Sequence, residues 1–242
     1  IIAVDVSRLV EDLILWSSSD FGIIELTDSF SSTSSIMPQK KNPDVLEVIR
    51  AKMSYVLGNF LTSATTMKAL PSSYNMDFQE ITPRLWESLE NVTSSLDILS
   101  KLVTNLKVSK NVFSKPILNF STSTELANVL ARKYKVPFRT AHKIVGSLIR
   151  TLIESKLTFS DVTPELLQKV IKNSSGLSLN INIKDIQEST DPLKFVESHK
   201  VRGGPSPTEV ERMLKVRKQW VTLSKSNLSK KKLELNNTDY KL

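Results

Sequence analysis

Apolar residues in the first part of the chain recur by fours and threes. Ile2, Val6, Leu9, Leu13 and Trp16 begin the pattern, which predicts a helix with its seam along a near-parallel neighbour. Val45, Ile49, Met53, Val56 and Phe60 repeat it, and Leu85, Leu89, Val92, Leu96, Leu99, Val103 and Leu106 hold it longer still. These stripes predict core packing of long helices. From about Lys115 the predicted helices shorten: Thr124 to Lys133, Phe138 to Lys156, and one capped by Thr163 with Pro164 at its first position. After the turn Arg202-Gly203-Gly204-Pro205-Ser206-Pro207, Thr208 is expected to cap a final helix ending near Val221. The expected fold is all-α: part of a long-helix bundle over 1–115, a smaller helical domain over 116–222, and a basic, frayed tail over 223–242.

Composition supports long elements, since the 242 residues include only 6 Gly and 10 Pro. No Cys is present, which excludes disulfides and thiolate chemistry and fits a reducing cytoplasmic setting. The two histidines, His142 and His199, lie far apart, so no metal site is expected; no cofactor is expected either, and His142 reads as a structural helix residue. The net charge of +8 gathers partly between Lys215 and Lys232, including Lys230-Lys231-Lys232. Such a terminus reads as a solvated end, so nucleic acid is not an expected partner, and with no run of eighteen apolar residues neither is a membrane. Ile1 stands in mid-pattern without an initiator Met, and the chain is expected to be a fragment.

The stretch from Thr27 to Asn42 breaks the pattern, with seven of its first nine residues Ser or Thr. It reads as a long loop of the functional kind. Asn42-Pro43-Asp44 closes it with a helix-start signal, in which Asn42 is a good N-cap and Pro43 suits the first helical position. Hydroxyls, the ammonium groups of Lys40 and Lys41, an amide and a helix N-terminus thus meet in one field, which suits a carboxylate. A serine-rich linker with a lysine pair is the alternative that composition leaves open.

Thr33-Ser34-Ser35-Ile36-Met37-Pro38-Gln39-Lys40-Lys41-Asn42-Pro43 resembles the Gly-Ser-Ser-x-Met-Pro-x-Lys-x-Asn-Pro signature of the fumarase, aspartase and argininosuccinate lyase superfamily. Within it, Met37 to Asp44 is similar to the argininosuccinate lyase version. So are Leu70-Pro71-Ser72-Ser73-Tyr74-Asn75-Met76-Asp77-Phe78-Gln79-Glu80, the stretch from Ala127 to Gly146, and Asp191 to Leu214 with Gly203-Gly204-Pro205. The resemblance implies elimination of fumarate from argininosuccinate, with proton abstraction beside a carboxylate. It implies Ser34 as base, Lys40 as the cation that stabilises the intermediate, and Glu47 as an orienting carboxylate. Ser35, Asn42, Tyr74 and Gln79 are the implied substrate contacts, although Asn42 serves equally as a helix cap; Lys41 is expected to be a solvated charge.

The same resemblance implies a homotetramer with sites shared between subunits, and further active-site motifs upstream of the region seen here. The fragment alone is therefore expected to turn over little. Two departures stand out: Thr33 replaces the family's Gly, and Ile81-Thr82 replaces its Asp-Lys, for which Arg84 is a conceivable substitute. Adenylosuccinate lyase or another fumarate-releasing enzyme, a catalytically silent homologue, and a basic nucleic-acid binder are the competing readings, in that order.

Overall fold

The structure, a computed structural model, describes residues 1–33, 36–37, 41–112 and 119–239. Among the described residues it is helical apart from four two-residue strands, and the chain divides into two compact units, Ile1–Ile117 and Leu118–Leu242.

The first unit is built on α1 (Ile2–Ser17), α2 (Asp44–Met67) and α3 (Asp77–Thr104). Its core joins Ala3, Val6, Val10 and Leu13 of α1 to Leu46, Ile49 and Met53 of α2 and to Leu99 and Leu102 of α3. The α1 seam is therefore rotated from the expected one: Val6 and Leu13 are buried, whereas Ile2, Leu9 and Trp16 lie at the surface. The expected α3 stripe is likewise buried only at Leu99, with Leu85, Leu89, Leu96 and Val103 exposed. The cause is that these helices are apolar on more than one side, and the unit supplies neighbours for one side only. Polar ties add register: Arg50 pairs with Glu11 across α1 and α2, and Asn59 donates to Glu87 at 3.2 Å and Ser88 at 3.3 Å across α2 and α3.

Two short antiparallel ladders organise the connections. Strand β1 (Ile24–Glu25) pairs with β4 (Lys107–Val108), and β2 (Ser32–Thr33) pairs with β3 (Lys41–Asn42) in the register Ser32↔Asn42 and Thr33↔Lys41. The second ladder brings together the two ends of the motif segment.

The second unit packs α4 (Ser123–Tyr134), α5 (Phe138–Glu154), α6 (Pro164–Ser175) and α7 (Ile183–Thr190), followed by α8 (Pro192–Ser198) and α9 (Pro207–Asp239). Helix α5 shows why it folds as predicted, since Ala141, Ile144, Val145, Leu148 and Leu152 step along one face and are all buried. Helix α6 starts as expected, with the Thr163 side chain accepting the Leu166 N–H at 3.3 Å and Pro164 beginning the helix. Helix α9 does not end near Val221 but runs on to Asp239. Its later residues are mostly Lys, Leu, Ser and Asn with no Gly or Pro, so no strong breaker stops it. It also begins at Pro207, which puts Thr208 inside the helix rather than at its cap. Before it, Gly204 is fixed by space: a Cβ there would lie 2.3 Å from the His199 carbonyl oxygen.

Candidate active site

The motif segment enters through β2 and leaves through β3 directly into α2. Ser34, Ser35 and Lys40, three of the seven expected site residues, lie outside the described residues. Of their neighbours, Thr33 lies in extended backbone and is not among the positive-φ residues. A β-branched residue is well suited to that conformation, so replacement of the family's Gly carries no backbone strain at this position.

Asn42 is a strand residue paired with Ser32, and not the N-cap of α2; the cap position falls to Pro43, with no side-chain capping bond. Its carbonyl accepts the Leu46 N–H at 2.9 Å and the Glu47 N–H at 3.1 Å. The Asn42 amide is thereby released from the capping role that the sequence allowed. Glu47 sits exposed in the first turn of α2, where a carboxylate complements the helix dipole. Asn42 and Glu47 line one groove of about 610 Å³, together with Ile14, Ser17, Ser18, Ser19, Glu25, Lys41 and Pro43. The serines were missed in the sequence because they close α1 some twenty positions upstream: Ser17 and Ser18 donate to the carbonyls of Ile14 and Leu15.

Lys41 is exposed, as expected, but it is not a lone charge. Its Nζ stands 2.7 Å from Asp28 Oδ1 and 3.0 Å from Glu25 Oε1. The ammonium holds both carboxyls below their ordinary range, and they raise it above its own, Asp28 foremost.

Tyr74 and Gln79 come together at the start of α3. Gln79 Nε2 donates to the Tyr74 hydroxyl at 2.6 Å, and both side chains face outward. The turn before them needs a left-handed residue, Ser73 at φ 83°, and Asn75 secures it by donating to the carbonyls of Pro71 and Ser73. Gln79 also lines a second, shallow groove of about 690 Å³ with Thr82, Pro83, Trp86, Glu87 and Glu90. Arg84 pairs with Glu87 at 3.1 Å, an engagement that competes with any role as substitute for the family's lysine. His142 is exposed on α5 with its ring 6.4 Å from that of Phe138, and His199 Nδ1 lies 2.6 Å from the Phe195 carbonyl oxygen.

Comparison with known proteins extends the resemblance. Residues 120–197 match the domain described as argininosuccinate lyase C-terminal, and residues 1–58 match the lyase family domain. Argininosuccinate lyase of Methanothermobacter thermautotrophicus is 43% identical over 210 residues, covering 86% of this chain and 45% of the relative. That of Methanocaldococcus jannaschii is 40% identical over 237 residues, covering 98% of this chain and 48% of the relative.

Over most of its length the chain is similar to argininosuccinate lyases.

Among solved structures, EDDS lyase in complex with formate is similar with a TM-score of 0.76 and 28% identity, over 93% of this chain and 46% of that one. The general lyase match over 1–58 takes in the whole motif segment and the first turns of α2. The match over 120–197 takes in α4 to α7 and nearly all of α8. The chain spans about half the length of the curated argininosuccinate lyases it matches.

Proposed function

We propose that this chain is the C-terminal portion of an argininosuccinate lyase, which eliminates fumarate from argininosuccinate and leaves arginine. The observation that carries the reading is identity of about 40% to curated argininosuccinate lyases along almost the whole chain. The signature from Thr33 to Pro43 supports it, and so do the groove shared by Asn42 and Glu47 and the Tyr74–Gln79 hydrogen bond.

In this reading Ser34 removes the proton beside the substrate carboxylate. An alcohol needs help to act as a base. One ammonium at about 4 Å, at an effective dielectric near 20, supplies about 4 kcal/mol toward its anion. That equals roughly three pKa units, so backbone N–H groups and exclusion of water must add the remainder. Lys40 stabilises the extra charge on the carboxylate of the intermediate, and Glu47 orients the acid–base partner. Ser35, Asn42, Tyr74 and Gln79 contact the substrate. Residues 1–115 form part of a central bundle and 116–222 a C-terminal domain. The full protein is a cytoplasmic homotetramer that shares its sites between subunits, for which the exposed apolar faces of α2 and α3 are the supporting feature.

The complete polypeptide should release fumarate from argininosuccinate and not from adenylosuccinate. Lys40→Met should lower that rate about a hundred- to a thousand-fold, the usual effect of removing one preorganised charge donor. Residues 1–242 alone should release almost none. Preference for adenylosuccinate would overturn the substrate assignment, and ready turnover by the 242-residue chain would overturn the shared site.

A further inference from the structure

Lys41 holds together three short pieces of the chain that precede it. Its ammonium bridges Asp28 and Glu25, while its backbone pairs with Thr33 in the β2–β3 ladder. Glu25 in turn lies opposite Lys107 in the β1–β4 ladder, which ties the same cluster to the chain beyond α3. A ladder of two residue pairs is marginal by itself, so its register needs a second source of fixation. The cluster supplies one. Its two carboxylates lie three positions apart, one in β1 and one in the turn at Asp28–Phe30, and they approach a single ammonium together. The ladder matters because of what adjoins it: Ser34 follows Thr33 and Lys40 precedes Lys41 in the sequence.

We propose that Lys41 is a positioning residue for the elimination, acting through Glu25 and Asp28 to fix the register at which the motif segment leaves and rejoins the fold. The inference rests on the function proposed above. Lys41 touches neither substrate nor reacting atoms in this role; it sets where its neighbours start. An exposed ion pair contributes little to global stability, so the effect should appear in turnover and not in the melting temperature.

The test uses the complete polypeptide. Lys41→Met should reduce kcat about fivefold with KM and melting temperature nearly unchanged, while Lys41→Arg keeps most of the activity. The double variant Glu25→Gln, Asp28→Asn should lower kcat to a similar extent, and adding Lys41→Met to it should cost little more. Amide hydrogen exchange at Thr33 and Lys41 should quicken in Lys41→Met. Wild-type kcat in Lys41→Met would overturn the proposal, whether or not exchange changes. So would additive losses in the combined variant. If the unmodified protein releases no fumarate, the functional reading fails instead, and the exchange rates still decide whether Lys41 holds the ladder.

Discussion

The two units treat the same kind of pattern differently. In the second, the apolar face of α5 is consumed by its own unit, with Ile144, Leu148 and Leu152 fully buried. In the first, long stretches of α2 and α3 keep large apolar side chains in the open: Phe60 is 73% exposed, Trp86 63% and Leu85 54%. Four-three spacing therefore reports that a helix has a packing face and says nothing about which chain fills it. An exposed apolar surface on this scale marks an interaction face, which accords with the proposed assembly.

The largest effect that separates the two regions should come from Leu148→Ala. A leucine removed from a closed core costs about 2–5 kcal/mol, measured by urea unfolding of the chain. The comparison would break if Leu89→Ala, on the open stripe of α3, cost as much.

Next comes Glu209 on α9, whose carboxylate accepts from Arg212 Nε and a second guanidinium nitrogen at 2.7 Å each, and from the Gly203 N–H at 2.7 Å. The Arg212 guanidinium, followed by the Gly203 amide, lowers its pKa to about 2 from 4.5. A depressed folded-state pKa contributes stability above the unfolded value, and that contribution disappears as pH falls through the folded one. The melting-temperature gap between wild type and Glu209→Gln should therefore be full near neutrality and shrink between about pH 4.5 and about pH 2. A gap independent of pH would contradict this origin.

Thr163→Ala should cost about 1 kcal/mol, the usual value of an N-cap bond. Asn42→Ala should leave the stability of α2 nearly unchanged, because Asn42 does not cap it, while reducing activity of the complete protein. Smallest of all, Leu89→Ala should shift the stability of the isolated chain by less than about 0.5 kcal/mol. Sedimentation of the complete protein should nevertheless show weakened association for Phe60→Ser.

Local chemistry was legible where it was decided locally. The Thr163-Pro164 start of α6 needed only its own turn, and the periodicity of α5 matched its buried face because its neighbours lie within a short stretch of chain. Tyr74 and Gln79 were singled out only through the resemblance of the segment from Leu70 to Glu80, and the hydrogen bond that joins them spans a single turn and the start of α3. What escaped was set from a distance. Asn42 read as a cap because Asn-Pro-Asp is a capping sequence, yet pairing with Ser32 draws it into a strand. The ion pairs of Lys41 escaped because Asp28 and Glu25 stand 13 and 16 positions upstream, with no periodicity linking them. The buried side of α1 could not be chosen from the sequence, since both of its apolar flanks satisfy the same spacing.

Whether the hydroxyl of residue 34 performs the proton abstraction is tested most directly by the Ser34→Ala variant of the complete polypeptide, assayed for fumarate release from argininosuccinate. Loss of a positioned general base should slow release by about a hundred- to ten-thousand-fold while the protein keeps its fold and its affinity for substrate. Release at the unmodified rate would contradict the account.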